Sequence, residues 1–218
     1  MDVNSTFVLS QVILFPLVVG LVRYKTVRVD YRPFFWLLVI GFLCEDVSYL
    51  LIERYQVHTN AVPINIYILC EWVLLAFQFH HWGFLKSNKK LFYALLLGTA
   101  GIWVVENLVF DQITVFRPYF PFFYSFLLVL LSVREINFMI THDNRVLLKN
   151  TRFLICIGFI IYFIYKIVFE WAYQLSLLGK SDFTTTIIYL FSYINVVTNI
   201  IFGIALLIIP QNREFKLE

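Results

Sequence analysis

The sequence predicts an all-α integral membrane protein that crosses the bilayer seven times and forms a single domain. Three observations predict this class. Hydrophobic residues make up 61% of the 218 residues and charged residues only 14%, which is more apolar surface than a soluble domain of this size could bury. The apolar residues form continuous runs rather than the alternating pattern of a membrane barrel. The basic residues fall almost entirely into every second gap between those runs.

Each apolar run is long enough for a spanning helix, which needs about 20 mostly apolar residues. The first and last runs are the clearest, because no charged residue lies between Asp2 and Arg23 or between Asp182 and Arg213. No Lys or Arg precedes the first run, so we expect it to be a spanning helix and not a removable signal. The connections are short, which predicts one transmembrane domain over residues 1–218. The predicted spans are 6–22, 33–52, 61–83, 91–110, 118–141, 153–174 and 183–209.

Local signals support the spans in the first half of the chain. In the first span, Pro16 lies inside the apolar run and should distort the helix. The second span is predicted from its apolar length. Thr59 and Asn60 can cap the third helix, and Pro63 suits its first turn.

Similar signals mark the second half. Gly98 and Gly101 give the fourth helix a patch of small residues that a neighbouring helix could approach closely. Pro118 and Pro121 open the fifth helix, and Ser181 can cap the seventh. The sixth span, like the second, is predicted from its apolar length.

The distribution of basic residues predicts the orientation. Twelve Lys and Arg residues lie in the first, third and fifth connections and the C-terminal tail, against three in the other connections and the N-terminal tail. By the positive-inside rule, the N-terminus is outside and the C-terminus cytoplasmic. The net charge of +3 therefore reflects membrane topology rather than nucleic-acid binding, and the basic loops can contact the lipid bilayer's anionic head groups. We expect the chain to lie in the inner (cytoplasmic) membrane of a bacterium.

Polar and ionisable residues inside the spans carry the functional prediction. Such groups are costly in lipid, by about 2.5–3.5 kcal/mol each, and usually face a cavity or a partner. At about 1.5 Å of rise per residue, helices two, three, six and seven place them at similar depths, roughly 12–16 Å below the outer surface. Several of these residues follow one another at helical spacing, so we expect an outward-facing acidic pocket. Its predicted ligand-binding residues are Glu45, Asp46, Tyr49, Tyr67, Glu71, Tyr162, Lys166, Glu170 and Asn195. The alternative is that Lys166 and Glu170 form a purely structural ion pair.

A second polar group is predicted nearer the cytoplasm, from Arg134, Glu135, Asn137 and Asn199. Arg134 and Glu135 are adjacent in sequence, so we expect each to seek a different partner. One interpretation is interfacial anchoring, and the other is an inner gate or a site coupled to the outer pocket.

The sequence offers no cofactor or metal site. The three cysteines all lie within spans, which favours packing roles over disulfides. A zinc site of three histidines is not expected, because His58 and His142 lie in loops on opposite sides of the membrane. A retinal protein is disfavoured, because the seventh helix has no Lys.

A short motif resembles a known group of proteins. The run Glu45–Asp46–Val47–Ser48–Tyr49, followed by Asn65–Ile66–Tyr67 and Glu71 on the next helix, resembles an uncharacterised group of bacterial seven-helix membrane proteins. That group is similar to the membrane sensor regions of some histidine kinases. The resemblance implies a seven-helix fold and a sensory role, and it carries no established chemistry.

Three functions remain open at this point. A sensor or receptor would bind a small molecule or lipid in the outward pocket and, lacking an output domain, would signal through a cytoplasmic partner. A secondary or proton-coupled transporter would use the same carboxylates as protonation sites. An intramembrane lipid-modifying enzyme would use two acids for acid–base chemistry on a lipid head group. We favour the sensor and expect no catalytic residue.

Overall fold

All of the secondary structure in the described part of the chain is helical, in a computed structural model that describes residues 3–25, 28–57, 59–110, 113–142, 147–176 and 181–209. Seven helices, labelled α1 to α7, are long and apolar enough to cross a membrane. The first four are α1 (Val3–Ser10 and Leu14–Arg23, joined by a 3₁₀ turn at Gln11–Ile13), α2 (Arg32–Tyr49, continued by a π-helical turn at Leu50–Arg54), α3 (Ala61–Trp82) and α4 (Lys89–Val104, continued by a π-helical turn at Val105–Val109). The others are α5 (Tyr119–His142), α6 (Thr151–Ser176) and α7 (Ser181–Ile208).

The helices begin and end within two or three residues of the predicted spans, so the seven-helix prediction is confirmed at this level. The connections add short 3₁₀ turns at Val29–Tyr31 and Leu147–Lys149 and a one-turn helix at Phe84–Ser87.

Local sequence explains how several helices begin or bend. The 3₁₀ turn of α1 lies just before Pro16, whose ring would clash with the carbonyl of Val12 in a regular α-helix. The backbone N–H of Ala61 donates to the hydroxyl of Thr59 at 3.2 Å, as predicted, whereas the other predicted cap, Asn60, forms no side-chain capping hydrogen bond. The start of α5 is capped from α4, because the carboxylate of Glu106 accepts the N–H groups of Tyr119 and Phe120 at 3.3 and 2.9 Å.

Contacts at the helix ends show which ends of several helices lie together. The guanidinium of Arg23, at the end of α1, donates to the last carbonyls of α7, including those of Leu206 and Ile209 at 2.7 and 3.0 Å. The side-chain amide of Gln78, near the end of α3, donates to the carbonyl of Asp30 before α2 at 2.5 Å. We call this end of the bundle, with residues 24, 25, 28–31, 83–88 and 147–150, the basic end. The other end, with residues 55–57, 59, 60, 110 and 113–118, is the N-terminal end.

Aromatic side chains fill the centre of the bundle. The rings of Phe34, Phe159 and Phe202 contact one another at centroid distances of 5.0 to 5.9 Å. Close packing of α6 on α7 depends on Gly158, where an added Cβ would lie 2.4 Å from the ring of Phe202. The expected close approach at Gly98 and Gly101 is not observed, since no described atom lies within 4 Å of a Cβ built at either glycine.

Candidate functional site

A cavity of about 370 Å³ opens at the N-terminal end of the bundle. Its walls come from every helix except α4, together with the connections that precede α3 and α5. The helices contribute both polar and aromatic side chains, and the connection before α5 contributes Arg117. The cavity therefore has charged and aromatic surfaces. Its lining residues are Ser10, Ile13, Gly41, Cys44, Glu45, Ser48, Asn60, Ile64, Asn65, Tyr67, Ile68, Phe116, Arg117, Pro121, Tyr162, Lys166, Phe169, Glu170, Phe191 and Asn195.

A buried ion pair forms the base of this cavity. Lys166 on α6 is 6% exposed and Glu71 on α3 is 2% exposed, and the Lys166 amine donates to the Glu71 carboxylate at 2.8 Å. The hydroxyl of Tyr67 donates to the other carboxylate oxygen at 3.0 Å, and the hydroxyl of Tyr124 also donates to Glu71. The amine of Lys166 contacts the Tyr124 hydroxyl as well. Both charges are therefore satisfied by hydrogen bonds, as buried charges require.

Aromatic rings surround the amine of Lys166. It lies 5.1 Å from the ring centroid of Tyr124, 5.6 Å from that of Tyr162 and 5.8 Å from that of Phe163. Rings at this distance stabilise a cation through their negative faces. The network therefore connects α3, α5 and α6 through one ion pair.

Two further carboxylates lie in the cavity wall without a basic partner. In the described part of the chain, neither Glu45 nor Glu170 forms a salt bridge. The predicted alternative, in which Lys166 pairs with Glu170, is therefore not what the structure shows. Arg117 is the other cation of the lining, and its Nε is buried with no hydrogen-bond partner among the described residues. The cavity wall thus contains two carboxyl groups that form no ion pair with a described residue, and one arginine whose Nε is buried in the wall.

Most of the predicted ligand-binding residues meet here. Six of the nine line the cavity, and Glu71 lies directly behind Tyr67 and Lys166. Their role in ligand binding stays a prediction, but the convergence of α2, α3, α6 and α7 on one cavity is what the shared depth indicated. The six are Glu45, Tyr67, Tyr162, Lys166, Glu170 and Asn195.

The other two predicted residues, Asp46 and Tyr49, lie outside the cavity lining. Asp46 accepts a hydrogen bond from Gln11 at 3.3 Å, and Tyr49 stacks on Phe7 with centroids 3.9 Å apart. The α2 residues that do line the cavity are 41, 44, 45 and 48, and at about 100° per residue both of the others lie roughly a quarter turn or more away from that face. On that side α2 packs against α1.

Sequence reasoning missed two contributors to the site. Tyr124 completes the ion-pair network from α5, and Arg117 enters from a connection. A tyrosine in an apolar run carries no signal of its own. The signal for Arg117 was available, because it is one of only three basic residues predicted on the outer side.

The four residues of the predicted inner group are not brought together. Arg134 and Glu135 line a second cavity of about 370 Å³ at the basic end. Asn137 is exposed. Asn199 instead donates to Asn195, to its backbone carbonyl at 3.0 Å and its side-chain oxygen at 2.9 Å.

The fold and cavity define a class, a bundle of seven helices able to cross a membrane with a charged internal site. Comparison with protein-family models, with curated proteins and with solved structures gave no match. The resemblance to histidine-kinase sensor regions therefore stays a prediction.

Proposed function

We propose that this protein is a receptor-like integral membrane protein that binds a small molecule in the cavity at its N-terminal end. The observation that carries this proposal is that Lys166, whose amine pairs with the buried carboxylate of Glu71, lines an open cavity. A cavity of about 370 Å³ also falls within the range of small-molecule sites, about 300–1,000 Å³. With the topology inferred from charge, the cavity faces away from the cytoplasm.

The lining favours a ligand that carries an amine and an aromatic or other apolar part. Glu45 and Glu170 are acceptors that form no salt bridge with a described residue. An ammonium group on the ligand would give these carboxylates a cationic hydrogen-bond donor. The rings of Phe169 and Phe191 stack with centroids 4.9 Å apart and supply an apolar wall. An anionic group of a zwitterionic ligand would in turn fit Arg117.

The ion pair suggests how binding could be transmitted. A charged ligand group that draws either Glu71 or Lys166 away from its partner changes the link between α3, α5 and α6. These helices continue to the basic end, where a cytoplasmic signalling partner would read their positions. The equilibrium is between helices with the ion pair formed and helices with it separated. A ligand shifts this equilibrium only by the difference between its affinities for the two arrangements.

A pair of related probes tests the proposed site. We expect 2-phenylethylamine to raise the melting temperature of the purified protein and its acidic counterpart, phenylacetate, to leave it unchanged. The double variant Glu45→Gln/Glu170→Gln should bind the amine at least about tenfold more weakly, because each charge-assisted hydrogen bond contributes about 1.5–3 kcal/mol. Glu53→Gln is the matched control, since Glu53 is exposed near the same end of α2. Equal binding of the amine by the double variant and the control would contradict the proposal.

A carrier is the second candidate, and the second cavity favours it. The two cavities lie at opposite ends, and a layer that includes Leu75, Phe79 and Phe159, each at most 2% exposed, lies between them. Alternating access needs such a pair of openings with a closed layer between them. Accumulation of the amine inside proteoliposomes would favour the carrier, and binding without accumulation would favour the receptor.

A further inference from the structure

The connection that precedes α5 is held in place by a buried amide. Asn65 on α3 is 3% exposed, and its side-chain nitrogen donates to the carbonyls of Ile113 and Val115 at 2.8 and 3.1 Å. Both N–H bonds of this amide are therefore used by the connection. The backbone carbonyl of Asn65 accepts the indole N–H of Trp103, on α4, at 2.8 Å. The connection is thus joined to two helices just before it reaches Arg117.

A buried carboxylate holds the same segment on its other side. Glu106 on α4 is 6% exposed and accepts the backbone N–H groups of Tyr119 and Phe120 at 3.3 and 2.9 Å. These bonds fix the backbone two and three residues after Arg117. A side chain on a backbone fixed from both directions loses less freedom when a ligand binds, so this arrangement preorganises Arg117.

Arg117 is placed to contact a ligand. It lines the cavity at the N-terminal end and is partly exposed. It forms no salt bridge with a described residue, and the carboxylate of Glu106 is bonded to the backbone instead. The other cation of the lining, Lys166, is paired with Glu71. In the described part of the lining, Arg117 is therefore the cation that remains for an anionic group of the ligand.

The chemistry of the lining defines the ligand class. A planar guanidinium binds a carboxylate through two parallel hydrogen bonds, and one guanidinium neutralises its single negative charge, whereas a phosphate monoester carries up to two. Glu45 and Glu170 suit an ammonium group, and the rings of Phe169 and Phe191 suit an apolar group. One molecule that uses all three features carries an ammonium group, a carboxylate and an apolar side chain.

We propose that the ligand of this cavity is an α-amino acid with an apolar side chain, whose carboxylate binds Arg117, and that Asn65 is the residue that positions Arg117 for it. This inference rests on the amine site proposed above and adds the second recognised group. Arg117 then sets the preference for an amino acid over the corresponding amine, and Asn65 acts through Arg117.

Isothermal titration of the purified full-length protein with L-phenylalanine and 2-phenylethylamine tests the ligand class, because the two probes differ only in the carboxylate. We expect phenylalanine to bind at least about tenfold more tightly, since it adds a charge-assisted pair of hydrogen bonds. Arg117→Gln should remove this difference by weakening phenylalanine binding, and it should not weaken binding of the amine.

A second variant tests the positioning role. Asn65→Leu keeps a side chain of similar size and removes both N–H donors to the connection. It should lower the preference for phenylalanine without weakening amine binding, a change in the ratio of two affinities that a general loss of stability would not produce. Arg54→Gln is the matched control, because Arg54 is exposed at the end of α2 and lies outside the cavity lining. It should bind both probes as the unmodified protein does.

The outcomes distinguish this inference from the proposed function. Equal affinities of the unmodified protein for the two probes, or a preference for phenylalanine that persists in Arg117→Gln, would overturn the inference and leave the amine site in place. A similar loss of preference in Arg54→Gln would also overturn it, because general attraction would then explain the effect. Equal losses for both probes in Asn65→Leu would overturn its positioning role. Binding of neither probe would contradict the proposed function and this inference with it.

Discussion

At the residue scale, the base of the cavity depends on charges that cannot be changed independently. Lys166 neutralises Glu71 in a site with little exposure, and the hydroxyls of Tyr67 and Tyr124 complete the carboxylate. Removing one partner leaves the other charge buried, whereas replacing both by apolar residues removes the need for compensation. The pair should therefore behave as a unit in mutagenesis.

We expect Lys166→Met to destabilise the protein by about 3 kcal/mol, because it leaves the Glu71 carboxylate without its cation. The double variant Glu71→Leu/Lys166→Met should recover much of this loss. Equilibrium unfolding in mixed detergent measures both, with Lys90→Met as a control at an exposed position. Additive losses in the double variant would show that the two residues do not form an energetically coupled pair.

The two partners of the pair could be predicted from sequence, but the complete network could not. Glu71 and Lys166 can be singled out in the sequence because a charged residue in an apolar run is costly in lipid and therefore indicates a partner or a cavity. Tyr124 does not stand out, since tyrosines are frequent in this chain. Depth along a helix gives one coordinate of a side chain, whereas its direction around the helix depends on neighbours, which is why Tyr49 was placed in the pocket but packs on Phe7.

At the element scale, the bounds of the helices followed from the lengths of the apolar runs and from prolines and caps near their ends. The π-helical turns that end α2 and α4 had no such signal. The turn in α4 contains Glu106, whose carboxylate caps α5, a tertiary contact that the local sequence does not reveal. Small residues in an apolar run do not by themselves locate a close contact, because Gly98 and Gly101 meet no described neighbour whereas Gly158 does.

The packing of α6 on α7 can be tested by changing Gly158. Gly158→Ala should destabilise the protein by about 1–3 kcal/mol, since the new methyl group would lie 2.4 Å from the ring of Phe202. That ring cannot move freely, because it also contacts Phe34 and Phe159. Gly98→Ala is the control and should be neutral or slightly stabilising, because the added methyl group meets no described atom within 4 Å. Similar melting temperatures for the two variants would show that α6 and α7 adjust to the methyl group.

At the scale of the whole molecule, two cavities with different linings lie at opposite ends of one bundle. The acidic and aromatic cavity lies at the N-terminal end, and the cavity lined by Arg134 and Glu135 lies at the basic end. A tightly packed aromatic centre separates them, and close-packed interiors transmit displacement rather than absorb it. If a ligand binds at one end, as we propose, this packed centre would carry a displacement toward the other end.

The orientation of the bundle decides which site meets which compartment. Arg145, Lys180, Arg213 and Lys216 contribute to the charge count but lie outside the described residues, so orientation is a prediction from sequence. In a background without native cysteines, Tyr55→Cys should react with a membrane-impermeant maleimide on intact cells. Lys89→Cys should react only after the membrane is opened, because the positive-inside rule keeps the basic connections in the cytoplasm. Both side chains are exposed at helix ends, so a difference between them reports the compartment rather than burial. The reverse labelling pattern would place the acidic cavity on the cytoplasmic side, and the ligand would then have to come from inside the cell.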